Sequence, residues 1–220
     1  SGYFDLKLSN YNIHTTNDFL YQAIDVTATN SAPWTNCNSS TIVSLNNQNN
    51  YCATNNNDWT LPAPFRPSTW AELNGPVWYK FKAPKSGKLQ IRAYNSVSDL
   101  LPPYDEPEID LQMAVFFLPG GYSGTPDAST LVANKNRLQL IAHDFDGTLH
   151  DEDLDVECLM ADSIYYLAID GSSYTLCPGC TRGEFRLEFE SNPRDRSAQN
   201  DLICDAIDLG TPAVWTNPAA

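Results

Sequence analysis

The chain has 220 residues, and its 27 acidic side chains against 13 Lys and Arg give a formal net charge of −14. This charge argues against nucleic-acid binding, which needs basic side chains to displace phosphate counterions, and against attachment to an anionic membrane surface. No apolar run approaches the roughly 20 residues of a membrane-spanning helix, so we expect no direct membrane insertion.

Short strands separated by Gly, Pro and Asn dominate the predicted secondary structure. Residues 77–82 alternate apolar and polar side chains, as do residues 88–93, and residues 111–117 form a more continuously apolar run. Further strands are predicted at residues 138–142, 156–160, 164–169 and 184–189, and no amphipathic helix of ten residues is expected. This pattern predicts an all-β fold, an antiparallel β-sandwich with a jelly-roll-like arrangement.

A polar, Asn-rich segment at residues 36–73 interrupts the series of strands. Structureless segments of this length are uncommon unless they are functional. We therefore predict a surface loop held by its aromatic side chains Trp59, Phe65 and Trp70. One hypothesis is that these side chains contact carbohydrate or another cell-surface polymer, and the alternative is an inert insertion.

Six cysteines in an acidic chain indicate an oxidising compartment. Cys37 and Cys52 bracket the Asn-rich part of the predicted loop, which suggests that a disulfide staples it. Cys177 and Cys180 form a CxxC pattern without the βαβ context of a redox motif and without a second CxxC for zinc, so a local disulfide is favoured. The remaining cysteines, Cys158 and Cys204, would then pair across a domain joint, although six cysteines allow 15 connectivities.

Acidic residues crowd into the segment 144–157, and hard oxygen ligands at this density suit Ca²⁺. The candidate ligands drawn from this segment are Asp144, Asp146, Asp151, Asp153 and Asp155. The alternative is a solvated acidic surface.

The apolar run that ends in Asp144-Phe145-Asp146-Gly147-Thr148 also looks like the nucleophile motif of haloacid dehalogenase-type phosphatases. Its context differs, because that fold is a doubly wound α/β domain and needs a later Lys, which is absent after Thr148. We therefore expect no catalytic residues and no enzyme activity.

Two segments of the chain occur twice, in the same order and at nearly constant spacing. Residues 2–8 (GYFDLKL) resemble residues 183–189 (GEFRLEF), and Asn17-Asp18 followed by Ala23-Ile24-Asp25 recurs as Asn200-Asp201 followed by Ala206-Ile207-Asp208. We interpret residues 1–16 as the last strand of a preceding repeat plus a joint. Residues 17–191 are then one complete sandwich, and residues 192–220 are a joint and the start of the following repeat.

Five motifs in order resemble a known bacterial domain. They are the Asn17-Asp18 opening, residues 77–89 (VWYKFKAPKSGKL), residues 142–147 (AHDFDG), residues 164–171 (IYYLAIDG) and the closing residues 183–189. This series is similar to the pre-peptidase C-terminal (PPC-like) β-sandwich that is strung along large secreted or surface proteins of gliding, Bacteroidetes-type bacteria. The resemblance spans about residues 17–190 and departs at Tyr21, at His143 and in the Asn-rich insertion.

The resemblance implies a non-catalytic domain of the extracellular space or bacterial cell surface, often Ca²⁺-stabilised, with Asn17 and Asp18 joining the cation site. The sequence thus predicts a repeat module of a long stalk or adhesin-like protein. Its expected partners are neighbouring repeats, other copies in a filament or bundle, and cell-surface glycans. The alternatives are a carbohydrate-binding module built on residues 36–73 and an accessory domain of a secreted hydrolase.

Overall fold

The structure is a computed structural model that describes residues 16–28, 41–51, 53–54, 75–95, 111–120, 128–144, 152–171 and 182–191. Nine strands account for most of these residues, and the single α-helix among them, α1, spans Ala128–Asn134. The strands are β1 Ile24–Asp25, β2 Thr41–Asn49, β3 Val77–Lys82, β4 Leu89–Asn95, β5 Leu111–Phe117, β6 Gln139–Asp144, β7 Glu152–Val156, β8 Ile164–Gly171 and β9 Glu184–Ser191.

The strands form two sheets that pack face to face. One sheet has the order β1-β3-β8-β5-β6 and the other the order β2-β9-β4-β7. All pairings are antiparallel except the short parallel pairing of β1 with β3. The predicted antiparallel β-sandwich is therefore confirmed. Consecutive strands change sheet at every step except β5 to β6, so most connections cross the edge of the sandwich.

The main core lies between the two sheets and follows from the alternation of side chains along each strand. In β4, Leu89, Ile91 and Ala93 point inward and are fully buried, whereas Gln90 and Arg92 between them point away from the core. Aromatic side chains from both sheets meet in the middle of this core. Examples are Phe81 with Phe189, at a ring-centroid distance of 6.0 Å, and Phe81 with Tyr165, at 5.8 Å.

A second, smaller core covers the outer face of the five-stranded sheet. Trp78 and Phe116 project from this face with ring centroids 5.9 Å apart, and Leu131 of α1 packs in the same buried cluster. Strand β8 also contributes Tyr166, whose pKa burial raises to about 12, with the nearby Asp25 charge adding to the increase. The phenol therefore stays neutral at physiological pH, as its apolar surroundings require.

Five of the seven strands predicted from sequence agree closely with the structure, and β6 is displaced by one or two residues. The strand predicted at residues 156–160 is wrong, because β7 spans Glu152–Val156 and ends where the prediction begins. Acidic side chains obscured its alternation, in which Leu154 and Val156 face the core while Asp153 and Asp155 face outward.

The loop predicted over residues 36–73 is wrong for its first part, because Thr41–Asn49 form strand β2. Val43 faces the core there, and β9 supplies the hydrogen-bonding partners along the strand. The Asn-rich half stays in the sheet through a bulge between Leu45 and Gln48, where Asn47 adopts a φ of 55°. Asn tolerates this left-handed conformation better than most residues do.

Three of the four sheet edges have features that hinder pairing with another chain. Strand β2 is bulged, and in β6 the bulge residue Ile141 is turned to solvent. Strand β7 is only five residues long and carries Asp153 and Asp155 on its outward face. Bulges, short length and charge are the usual protections of an exposed edge. The fourth edge, that of β3, is covered by residues 16–28 of the same chain.

A substitution on each face of the four-stranded sheet tests the assignment of the core. Replacing Phe189 by Ala removes a fully buried ring and should cost about 3–5 kcal/mol of unfolding free energy. The matched control Ile42→Ala truncates a side chain on the same sheet that is 52% exposed, and its cost should stay within about 0.5 kcal/mol. Urea denaturation followed by tryptophan fluorescence measures both values, and equal losses would contradict the assignment.

Candidate functional site

The best-defined polar contacts among the described residues attach residues 17–26, here called the docking segment, to the outer edge of β3. Asn17 is buried, its backbone oxygen accepts a hydrogen bond of 2.8 Å from the Trp78 amide, and its side-chain Nδ2 donates one of 3.0 Å to the Trp78 oxygen. Both backbone groups of Trp78 are thereby satisfied at an edge that has no further full-length strand. Asn suits this position because one side chain adds a donor while its own backbone acts as acceptor.

Asp18 anchors the same segment to a second part of the chain. One carboxylate oxygen accepts 2.6 Å from the Thr54 amide, and the other accepts 2.7 Å from the Thr54 hydroxyl. These two bonds hold residues 53–54 beside the docking segment, and they engage both oxygens of Asp18.

The far end of the docking segment forms β1 and closes with a capped turn. Ile24 lies opposite Tyr79 in the parallel pairing, and the Val26 amide donates to the Lys80 oxygen over 2.9 Å. The Asp25 carboxylate accepts from the amides of residues 27 and 28 and approaches the Lys80 ammonium to 3.7 Å. Polar bonds thus fix the segment at both ends, Ala23 and Val26 are buried, and Leu20 and Ile24 are partly buried against the cores.

The structure does not bring the predicted cation ligands into one group. Asn17 lies beyond β3 and Asp144 lies on β6, so four strand spacings of about 4.8 Å, roughly 19 Å in total, separate them across the sheet. Asn17 and Asp18 are already engaged with Trp78 and Thr54. Within the described ranges, no three His, Cys, Asp or Glu side chains form a metal-holding group.

The acidic segment divides between two strands and the residues that connect them. Asp144 is the last residue of β6, and it lies opposite the inward-facing Met113. Glu152, the first residue of β7, lies opposite the inward-facing Ala93 and is only 2% exposed. These two carboxylates therefore share the side of their strands that faces the sheet interface, where the chain crosses from one sheet to the other.

Asp153 and Asp155 do not lie in a loop, as the sequence suggested, but on the outward face of β7. Asp153 accepts 3.1 Å from Gln90 Nε2 and lies 3.7 Å from Arg92 Nε. The predicted ligands Asp146 and Asp151 lie outside the described residues. The inward-facing Glu152 was not among the ligands predicted from sequence. Its alternation with the apolar Leu154 and Val156 could have indicated that it points inward.

The outward face of the four-stranded sheet is a polar network rather than an isolated acidic surface. Arg92 bonds Glu190 over 3.1 Å, and Glu188 accepts 3.1 Å from the Tyr94 hydroxyl and 2.7 Å from Arg186. The Arg186 guanidinium also lies 4.7 Å above the Tyr94 ring. The two arginines offset part of the acidic charge of this face.

The remaining predicted site residues are described only in part. Cys158 is exposed in the β7–β8 turn, at a φ of 58°, and forms no disulfide among the described residues. Outside the described residues lie Cys37, Cys52, Cys177, Cys180, Cys204, Trp59, Phe65 and Trp70, so the predicted disulfides and the sugar-contacting loop remain predictions.

The phosphatase-like motif sits on a different kind of scaffold from the one that its chemistry uses. Asp144 ends an edge strand of an antiparallel sheet, whereas a phosphatase of that type places its nucleophile after a central parallel strand.

No helix of the described ranges is long and apolar enough to cross a membrane. No protein-family model and no curated protein matches the chain.

A substitution at Asn17 tests the anchoring role of the docking segment. Asn17→Ala removes the donor to the buried Trp78 oxygen and should lower the unfolding free energy by about 1–3 kcal/mol. Gln22→Ala, on the exposed side of the same segment, is the matched control and should change it by less than about 0.5 kcal/mol. Chemical denaturation compares the two variants, and a harmless Asn17→Ala would show that the segment is not anchored there.

Proposed function

We propose that this chain is a structural repeat module of a long extracellular stalk or adhesin-like surface protein. The observation that carries the proposal is where the repeated residues fall in the fold. Residues 2–8 resemble residues 183–189, which include the first six residues of β9. The shared positions are Gly183, Phe185 and Leu187, with an apolar residue also matched at Phe189, and all four are buried.

The positions that differ between the two copies are the outward-facing ones of β9. Glu184, Arg186 and Glu188 project away from the core, and residues 3, 5 and 7 do not repeat them. Alternation alone would match apolar residues at buried positions, but here Gly, Phe and Leu recur as identical residues in the same frame. Residues 2–8 thus carry the core-forming side chains of a closing strand.

Among the described strands, β9 takes the place of a closing strand in the interior of the four-stranded sheet. Strand β9 lies between β2 and β4 and hydrogen-bonds to both. If residues 2–8 pair between two strands as β9 does, they need the corresponding place in a second sandwich. This requirement supports the proposed order of one repeat's last strand at residues 1–16, a complete sandwich at residues 17–191, and the start of another repeat at residues 192–220.

The edge protections suit domains that are covalently linked in series. A short flexible linker holds neighbouring domains at an effective concentration of the order of millimolar. Unprotected edges would then pair between neighbours, and the bulged and charged edges of β2, β6 and β7 oppose such pairing. The acidic surface and the six cysteines are consistent with the extracellular or cell-surface location that the proposal includes.

The proposal also includes a structural Ca²⁺ site at the β6–β7 crossover. Asp144 and Glu152 face the sheet interface from the two strands, and the seven residues that join them include Asp146 and Asp151. Glu152 is almost fully buried, so its carboxylate lies on the interior side of the crossover rather than in solvent. A hard divalent cation with carboxylate ligands from both strands would hold the two sheets together at this crossover.

The length of the native polypeptide tests the repeat hypothesis. A denatured and reduced extract of the source organism, probed with an antibody against residues 17–191, should show a polypeptide several times longer than 220 residues. Mass spectrometry of that band should find further copies of the Asn-Asp opening and of the closing strand. A native polypeptide of about this length would overturn the proposal.

Thermal unfolding with and without Ca²⁺ tests the cation site. After treatment with EDTA, Ca²⁺ at 100 times its dissociation constant should stabilise the wild-type chain by about 2.7 kcal/mol, since it binds only the folded state. Asp144→Asn and Glu152→Gln should each abolish this Ca²⁺-dependent shift. Asp155→Asn, on the outward face of β7, is the matched control and should keep it. An unchanged melting temperature in wild type would refute the site.

A further inference from the structure

The β3 edge offers a specific set of groups to the segment that covers it. Trp78 presents its amide and carbonyl, Lys80 presents its carbonyl and its ammonium, and the Lys82 amide donates to Thr27 Oγ1 over 2.7 Å. These alternate residues of β3 are the ones whose backbone points away from the rest of the sheet. The docking segment satisfies the groups of Trp78 and Lys80, and the adjoining Thr27 satisfies the Lys82 amide, so this edge works as a receptor for one short stretch of sequence.

The chain contains a second stretch with the side chains that this receptor contacts. Residues 200–209 (NDLICDAIDL) align with residues 17–26 (NDFLYQAIDV) without a gap. Five positions are identical, and in the docking segment each has a defined contact or is buried. These positions are Asn17, Asp18, Ala23, Ile24 and Asp25.

The other five positions follow the same rule of burial. At Phe19, Leu20 and Val26 the second stretch keeps an apolar residue, and Val26 is fully buried in the main core. At Tyr21 and Gln22 it has a different residue, and both of these side chains are exposed in the docking segment. Within these ten positions, the second stretch changes the character of a side chain only where the docking segment is exposed. Beyond them, the Thr27 hydroxyl that accepts from the Lys82 amide has no counterpart, because residue 210 is Gly.

The identity at Ala23 is informative because of its size. Ala23 is 8% exposed and packs in the second core with Trp78. A larger side chain would have to displace its neighbours in that packed cluster, which typically costs 1–3 kcal/mol. The second stretch has the same small residue, Ala206, followed by Ile207 and Asp208 as Ala23 is followed by Ile24 and Asp25. It therefore keeps the small side chain that the second core accommodates as well as the hydrogen-bonding Asp.

We propose that residues 200–209 are a second docking segment, which binds the β3 edge of a second copy of this domain in the place that residues 17–26 occupy in the first. The Asn200 amide would bond the Trp78 backbone of that copy, and Asp208 would approach its Lys80. The proposal rests on the repeat hypothesis for the natural supplier of the second β3 edge, but the contact itself needs only two copies of this chain.

Residues 17–26 and residues 200–209 of another molecule would compete for the same β3 edge. Residues 17–26 are tethered close to β3 in their own chain and act at an effective concentration of the order of millimolar, so the intact chain should keep its own segment bound. Weakening this segment opens the edge to residues 200–209 of another molecule. Because that contact is head-to-tail rather than two-fold symmetric, it should produce open chains that lengthen with concentration.

The first test compares oligomeric state in full-length chains by light scattering coupled to size-exclusion chromatography. The Asn17→Ala, Asp25→Ala double variant should form head-to-tail oligomers at concentrations where the wild type is monomeric. Adding Asn200→Ala and Asp208→Ala to this variant should return it to the monomer. A monomeric double variant, or oligomers that survive the two further substitutions, would overturn the proposal.

The second test measures peptide binding and gives a result even if the double variant does not fold alone. A fluorescent peptide of residues 198–211, carrying Cys204→Ser, should bind the double variant at least tenfold more tightly than the same peptide with Asn200→Ala and Asp208→Ala. It should also raise the melting temperature, or restore the far-ultraviolet β signal if the variant is unfolded alone. Equal binding of the two peptides, or no recovery, would overturn the proposal. This outcome is independent of the native polypeptide's length, so it can fail while the repeat hypothesis holds.

Discussion

The sandwich depends on one strand that is buried on both faces. Strand β8 sends Tyr165, Leu167 and Ile169 into the interface between the sheets, and Tyr166 and Ala168 into the second core on the opposite side. It also hydrogen-bonds to β3 on one side and to β5 on the other. Because both faces must remove apolar surface from water, helix α1 and the docking segment have to cover the outer face of this sheet, and the four-stranded sheet has to cover the inner one.

The same demand explains why the docking segment is part of the domain rather than an appendage. The segment ends the β3 edge with a parallel strand of two residues, and it places Ala23 in the second core and Val26 in the main one. The other edges are protected by bulges, charge or short length, which need no additional chain. Among the described sheet edges, that of β3 receives a strand from residues 17–26, and the sequence of residues 200–209 repeats five of these ten residues.

The acidic residues serve different ends according to which side of a strand they occupy. On the outward face of the four-stranded sheet, carboxylates alternate with Arg92 and Arg186 in hydrogen-bonded rows that offset part of their charge. At the β6–β7 crossover, Asp144 and Glu152 instead lie on the side of their strands that faces the sheet interface, with Glu152 almost fully buried and Asp144 partly buried. The net charge of −14 therefore combines a paired outward network with carboxylates that point inward at this crossover.

The sequence alone determined the fold class, because apolar and polar side chains alternate plainly in β3, β4, β5, β8 and β9, and it revealed the repeated segments. It did not reveal β2 or the position of β7, since Asn-rich and acidic stretches look like loops until a neighbouring strand satisfies their backbone. Tertiary structure alone decided that Asn17 bonds the β3 edge, that Asp18 bonds Thr54, and that both lie far from Asp144. Which edge a strand occupies depends on pairing between distant residues, and local sequence does not encode this pairing.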